Sequence, residues 1–243
     1  MNKTTTIVFL TAGLALAGHA TATAQTTSST ETRALVSVNI LAQPSTRNID
    51  LTKTFDLYGE QGTVSTTQHI SNGAVVDIAG YYVIRPQLSA GIDFSTFGNS
   101  SGSGGFATIP DPLVFNRPRT VGLSAAGLTH RENAVHLQVR YAWPYRDKME
   151  VALVAGPSIF HVKQQLVSSV SVPAGTQNAT PNVSDESKTA FGGNIGVEGN
   201  YFFNPRYGAG ILIRYAGASA DLPSFSGLHL GGFQVGVGFR ARF

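Results

Sequence analysis

Nine ionisable residues carry whatever chemistry this chain has inside it. Asp77, Asp93, Glu150 and Glu198 are acids; Arg140, Arg214, Arg240 and Arg242 are bases; His136 stands among them. Such a set suits proton transfer, metal binding, an ion path or simple ion pairing, and spacing has to decide between them. His130, His136, His161 and His229 recur at intervals that match no metal-ligand motif. Ser158 and Asp93 are possible companions for a histidine base, but no motif fixes a nucleophile beside one. The chain has no cysteine, which removes thiolate chemistry, disulfides and a lipoprotein anchor. The expectation is therefore no catalytic residue, no metal and no cofactor. Four acids facing four bases instead give a nearly neutral network of ion pairs, with His136 pairing with Asp93 or Glu150 as a structural histidine.

The elements that must position these residues are strands. Phe233, Val235, Val237, Phe239, Ala241 and Phe243 alternate with Gln234, Gly236, Gly238, Arg240 and Arg242. Side chains of a strand point to opposite faces in turn, so this stretch has one greasy and one polar face. The same alternation recurs. Val36, Val38, Ile40 and Ala42 oppose Ser37, Asn39 and Leu41. Val76, Ile78, Tyr82 and Ile84 oppose Asp77, Ala79 and Tyr81, and Leu88, Ala90, Ile92 and Phe94 oppose Ser89, Gly91, Asp93 and Ser95. Val135 to Trp143, Met149 to Ile159, Ile195 to Phe203 and Ile211 to Tyr215 complete the set, with His136, Arg140, Glu150, Glu198 and Arg214 on their polar faces. Apolar faces outward and charged faces inward describe a transmembrane barrel with a polar lumen. A soluble lipid carrier has the reverse polarity.

The connections alternate too. Turns at 85–87, 144–147 and 204–206 are short, whereas the connections at 43–73, 98–130, 163–188 and 218–230 read as mostly long. Short turns on one side and long loops on the other is the outer-membrane pattern. Tyr82, Trp143, Tyr201, Phe203 and Tyr207 gather beside the short turns as an aromatic girdle. Residues 50–70 are too polar for lipid and read as a hairpin standing above the membrane. Asn72-Gly73 is a strong reversal signal that predicts pairing of 62–70 with 74–84. If both halves of that hairpin crossed the bilayer, the barrel would have ten strands; otherwise it has eight.

Met1-Asn2-Lys3, the apolar run from Ile7 to Ala17 and Ala22-Thr23-Ala24 form a secretory signal peptide over residues 1–24. Residues 25–33 are a Thr/Ser-rich tail, and 34–243 are the barrel domain. Charged residues are only 13% of the chain, and no apolar run, that of the signal peptide included, is long enough for a membrane helix. A net charge of +3 with scattered basic residues carries no nucleic-acid footprint.

Taken together, the strand pattern and the last strand resemble the small outer-membrane β-barrel family of Gram-negative bacteria, typified by the OmpA transmembrane domain and OmpX. The resemblance implies an all-β antiparallel barrel of eight strands, with ten as the alternative, in the lipid of the outer membrane. It also implies that Phe233, Val235, Val237, Phe239 and Phe243 form a C-terminal signature read by the barrel-assembly machinery. In departure from OmpA, tethering to the cell wall through a periplasmic domain after the last strand is not expected. An eight-stranded interior is just wide enough for side chains to fill it. The expected function is a non-enzymatic surface protein whose long loops meet an external ligand or protein. A narrow porin-like channel for ions or small solutes is the alternative.

Overall fold

The computed structural model describes residues 33–243 apart from 112 and 173–178; the signal peptide and most of the tail lie outside the described residues. Ten strands follow one another: β1 (Ala34–Gln43), β2 (Arg47–Leu57), β3 (Glu60–Ile70), β4 (Gly73–Arg85), β5 (Leu88–Ile109), β6 (Arg119–Arg146), β7 (Met149–Ser171), β8 (Thr180–Phe202), β9 (Tyr207–Ala220) and β10 (Leu228–Arg242). All pairings are antiparallel. The ring that closes has eight members: β1, β4, β5, β6, β7, β8, β9 and β10, the last pairing again with β1. Arg33, expected as the end of the tail, already belongs to the wall. Its amide donates to the Phe243 carbonyl at 2.6 Å and its carbonyl accepts from Val83 at 2.9 Å.

β2 and β3 do not cross the bilayer. They prolong β1 and β4 in the same directions, so the four segments form one long, broken hairpin. Its reversal lies at Tyr58-Gly59, where both residues have positive φ (55° and 78°) and Leu57 faces Glu60. That is the twist a two-residue hairpin turn needs. Asn72-Gly73 is therefore not a reversal, and the expected pairing of 62–70 with 74–84 does not occur. Three residues (44–46) on one side oppose two (71–72) on the other, between the pairs Gln43↔Gly73 and Arg47↔Ile70. The extra residue makes a bulge-like kink. Pro44, which has no amide hydrogen for a ladder, sits in it.

Two of the expected long loops are mostly strand. β5 continues to Ile109 and β6 begins at Arg119, so only 110–118 lie between them. β7 continues to Ser171 and β8 resumes at Thr180. About ten residues suffice to cross a bilayer; β6, with 28, stands far beyond it.

Along the crossing part the outer face is apolar and exposed. Ile40, Ile78, Ile92, Leu137, Val139, Val151, Ile195, Ile211 and Val237 are among its residues. Aromatic rings bound this belt at both ends. Tyr82, Tyr141, Trp143, Tyr201, Phe203, Tyr207 and Phe243 ring the side of the short turns; Phe94, Phe191, Tyr215 and Phe233 ring the other. Beyond the second girdle the wall turns inside out. Its interior becomes apolar, with Ile49, Leu51, Val64, Leu123, Leu128, Val162, Leu166, Leu228 and Leu230 buried. Its exterior carries Ser124, Thr129, Arg131, Lys163 and Asp185.

Candidate functional site: the charged lumen

The polar faces of the eight closing strands meet inside the belt and fill it. Nearest the short turns, the Arg140 Nε donates to Glu198 at 2.9 Å while its Nη2 pairs with Glu150. Glu150 also takes Arg242 at 2.8 Å, and the Arg242 guanidinium lies 3.3 Å from the centre of the Phe202 ring. Arg240 donates to Asn39 at 2.6 Å and Asn200 at 2.8 Å, with Glu198 further off at 3.9 Å. Glycines make room for it. A methyl group on Gly210 would stand 2.1 Å from the Asn200 amide oxygen, and one on Gly238 would stand 2.2 Å from that of Asn39.

One layer higher, Arg214 bridges two carboxylates. It meets Asp77 at 2.8 Å and pairs with Asp93 as well. Its remaining donors go to the Gln234 side chain at 2.8 and 2.9 Å. Asn39 donates to Asp77 at 2.6 Å, and Gln138 donates to Asn194 at 2.7 Å. A buried charge is tolerable only when it is paired and hydrogen-bonded. These contacts meet that condition for Arg214, which is 1% exposed, and for Asp77, which is fully buried.

Eight of the nine singled-out residues thus join one another through ion pairs or shared amide partners. His136 does not. It lies opposite Asp93 in the ladder, yet its nitrogens bond Ser158 at 2.7 Å and Ser95 at 3.0 Å instead of a carboxylate. The expected pairing with Asp93 or Glu150 is therefore replaced by two hydroxyls. This serine–histidine contact also lacks the third, carboxylate member of a hydrolytic triad. Both side chains are sealed from solvent, at 0% and 1% exposure. Among the described residues no group of three or more His, Cys, Asp or Glu is placed to hold a metal. His161 lies on the outer face against Thr189 at 3.1 Å.

A second cluster, built around His130, closes the lumen above His136. Glu132 accepts from Arg47 at 2.9 Å and from the Gly231 amide at 2.7 Å, and lies 2.7 Å from the His130 ring. His130 also bonds Gln164, which donates to Gln68 at 3.0 Å. Arg47 reaches the carbonyls of His229 and Gly231. It thereby links β2 to β10 where β1 has stopped pairing with that strand. Gly231 and Gly232, both at positive φ (72° and 146°), allow the turned backbone there. Lys53 reaches Glu186 at 3.5 Å on the far wall. Glu186 lies in the expected loop 163–188, and Glu132 lies between the expected loop 98–130 and the strand residues that alternate from Val135, so parity assigned neither an inner face. Alternation of Leu128, His130, Glu132 and Ala134 was the available signal.

The wall and lumen define the class: a small antiparallel transmembrane β-barrel of the outer-membrane type, with a filled, ion-paired interior. No protein-family model and no curated protein sequence matches the chain. Solved structures similar to it include Neisserial surface protein A, at 11% identity and TM-score 0.48, covering 86% of this chain and 97% of that one. The outer membrane protein OprG of Pseudomonas aeruginosa is 8% identical with TM-score 0.49, covering 87% and 96%. The outer membrane protease OmpT of Escherichia coli is 10% identical with TM-score 0.43, covering 86% and 97%.

Proposed function

We propose that this chain is a non-enzymatic protein of the bacterial outer membrane, exported by a cleaved signal peptide at residues 1–24. Its role lies on the wall that rises beyond the bilayer, where an external ligand or protein would bind. The barrel-assembly machinery is its partner in biogenesis through Phe233, Val235, Val237 and Phe239, on the greasy face of β10, and Phe243, which follows it directly. The observation that carries this reading is the packing of the lumen. Arg240, Asp77 and His136 are fully buried, so no water-sized space adjoins them. An eight-stranded ring of this kind is a post and not a pipe.

The test is conductance of the refolded chain in a planar bilayer, after a heat-shift gel has confirmed a folded barrel. The expected trace is flat. Uniform, reproducible current steps would overturn the reading in favour of a narrow channel for ions or small solutes.

A further inference from the structure

Just above the belt, β6 and β7 hold two cations directly opposite each other. Arg131 pairs in register with Lys163, and both side chains are exposed on the outer face. The next outward pair towards the bilayer is Asn133 with His161, and the next is Val135 with Ile159, which belongs to the apolar belt. Phe191, opposite Ile159 on β8, is 80% exposed. Four residues of tilted strand place the cations about 10 Å above the edge of the belt. Long basic side chains at that height reach down into the headgroup layer.

Like charges directly opposite on neighbouring strands repel. Neither cation has an ion-pair partner among the described residues. The neighbouring Glu132 points inward and is taken by Arg47 and His130. Asp185 lies one outward pair higher, opposite Gln165. On the flanks stand Gly98, opposite Arg131, and Ser187, opposite Lys163. A methyl group on Gly98 would meet nothing within 4 Å, which leaves open space beside Arg131.

We propose that Arg131 and Lys163 form a binding site for the phosphate of an anionic lipid headgroup, with the acyl chain lying on Val135, Ile159 and Phe191. The phosphate sits between the two cations and cancels their repulsion. Asn133 and His161 supply further polar contacts below it. The site rests on the bilayer placement of the belt and not on the proposed surface role.

Native mass spectrometry of the refolded full chain, released from micelles doped with phosphatidic acid, reads this site. The wild type should retain a lipid adduct that R131Q/K163Q holds about thirtyfold less tightly. Phosphatidylcholine, whose choline cancels the phosphate charge, should give no such difference. R85Q/R146Q, at the opposite rim, should keep the adduct. Removal of the like-charge pair leaves folding intact, so both variants should show the wild-type heat-shifted band. Undiminished adduct in R131Q/K163Q would overturn the site. Equal occupancy by inorganic phosphate alone would overturn the lipid assignment. Loss of the heat-shifted band from the wild type itself would instead refute the barrel in the bilayer.

Discussion

The same strands build two regions of opposite polarity. Along β7, Val151, Leu153 and Ile159 face outward inside the belt, while Glu150 and Ser158 face the lumen. A few residues further on, His161, Lys163 and Gln165 face outward, while Val162 and Leu166 face in. β6 makes the same exchange between Val135 and Arg131 outside, and between His136 and Leu128 inside. Backbone pairing is continuous through the change. What changes is the solvent. In lipid the outer face must be apolar and the polar groups must satisfy one another inside; in water the hydrophobic effect restores the usual order.

The two regions should therefore respond differently to the same insult. The largest expected effect is in the lumen. Arg214→Met removes the one cation that bridges Asp77 and Asp93 and strands two buried carboxylates. The expected loss is about 3–5 kcal/mol, read by urea unfolding in lipid vesicles through the single tryptophan, Trp143. A paired substitution sharpens the contrast. Arg in place of Val237 puts a charge on lipid and should cost about 2–4 kcal/mol. Arg in place of Ser124, outward on the upper part of β6, should change stability by no more than about 0.5 kcal/mol. Equal costs at the two positions would break the division.

The belt was legible from sequence because lipid forces strict alternation on it. Every crossing strand and the inner or outer face of each of its residues followed from parity alone. The upper wall was not, because its segments are rich in Ser, Gly, Thr and Asn, the composition of a loop. The glycine-rich stretch 102–105 illustrates the point. Gly105 reads as flexibility, yet a methyl group there would stand 2.0 Å from the Ser65 carbonyl, so the glycine serves strand packing. Tyr58-Gly59 was overlooked as a turn because tyrosine rarely takes positive φ, and Asn72-Gly73 looked stronger while serving only a kink. In the lumen, parity showed which residues face inward but not which ones meet. Partners depend on the stagger of strands around the ring, which is why His136 found Ser95 and Ser158 and not an acid. Arg47 was missed because its role depends on β2 leaving the wall to reach Glu132, and nothing local in the sequence marks that departure.

The absence of cysteine makes the most direct test simple, since each introduced thiol is the only one. Single cysteines at Leu153, Ile159, His161, Lys163 and Gln165 would each carry a fluorophore and be exposed in turn to a lipid-borne and an aqueous quencher. The account predicts lipid quenching at 153 and 159, aqueous quenching at 163 and 165, and the crossover at or beside His161. Lipid quenching that persists to 165, or aqueous quenching already at 153, would contradict a single wall that changes polarity at the edge of the bilayer.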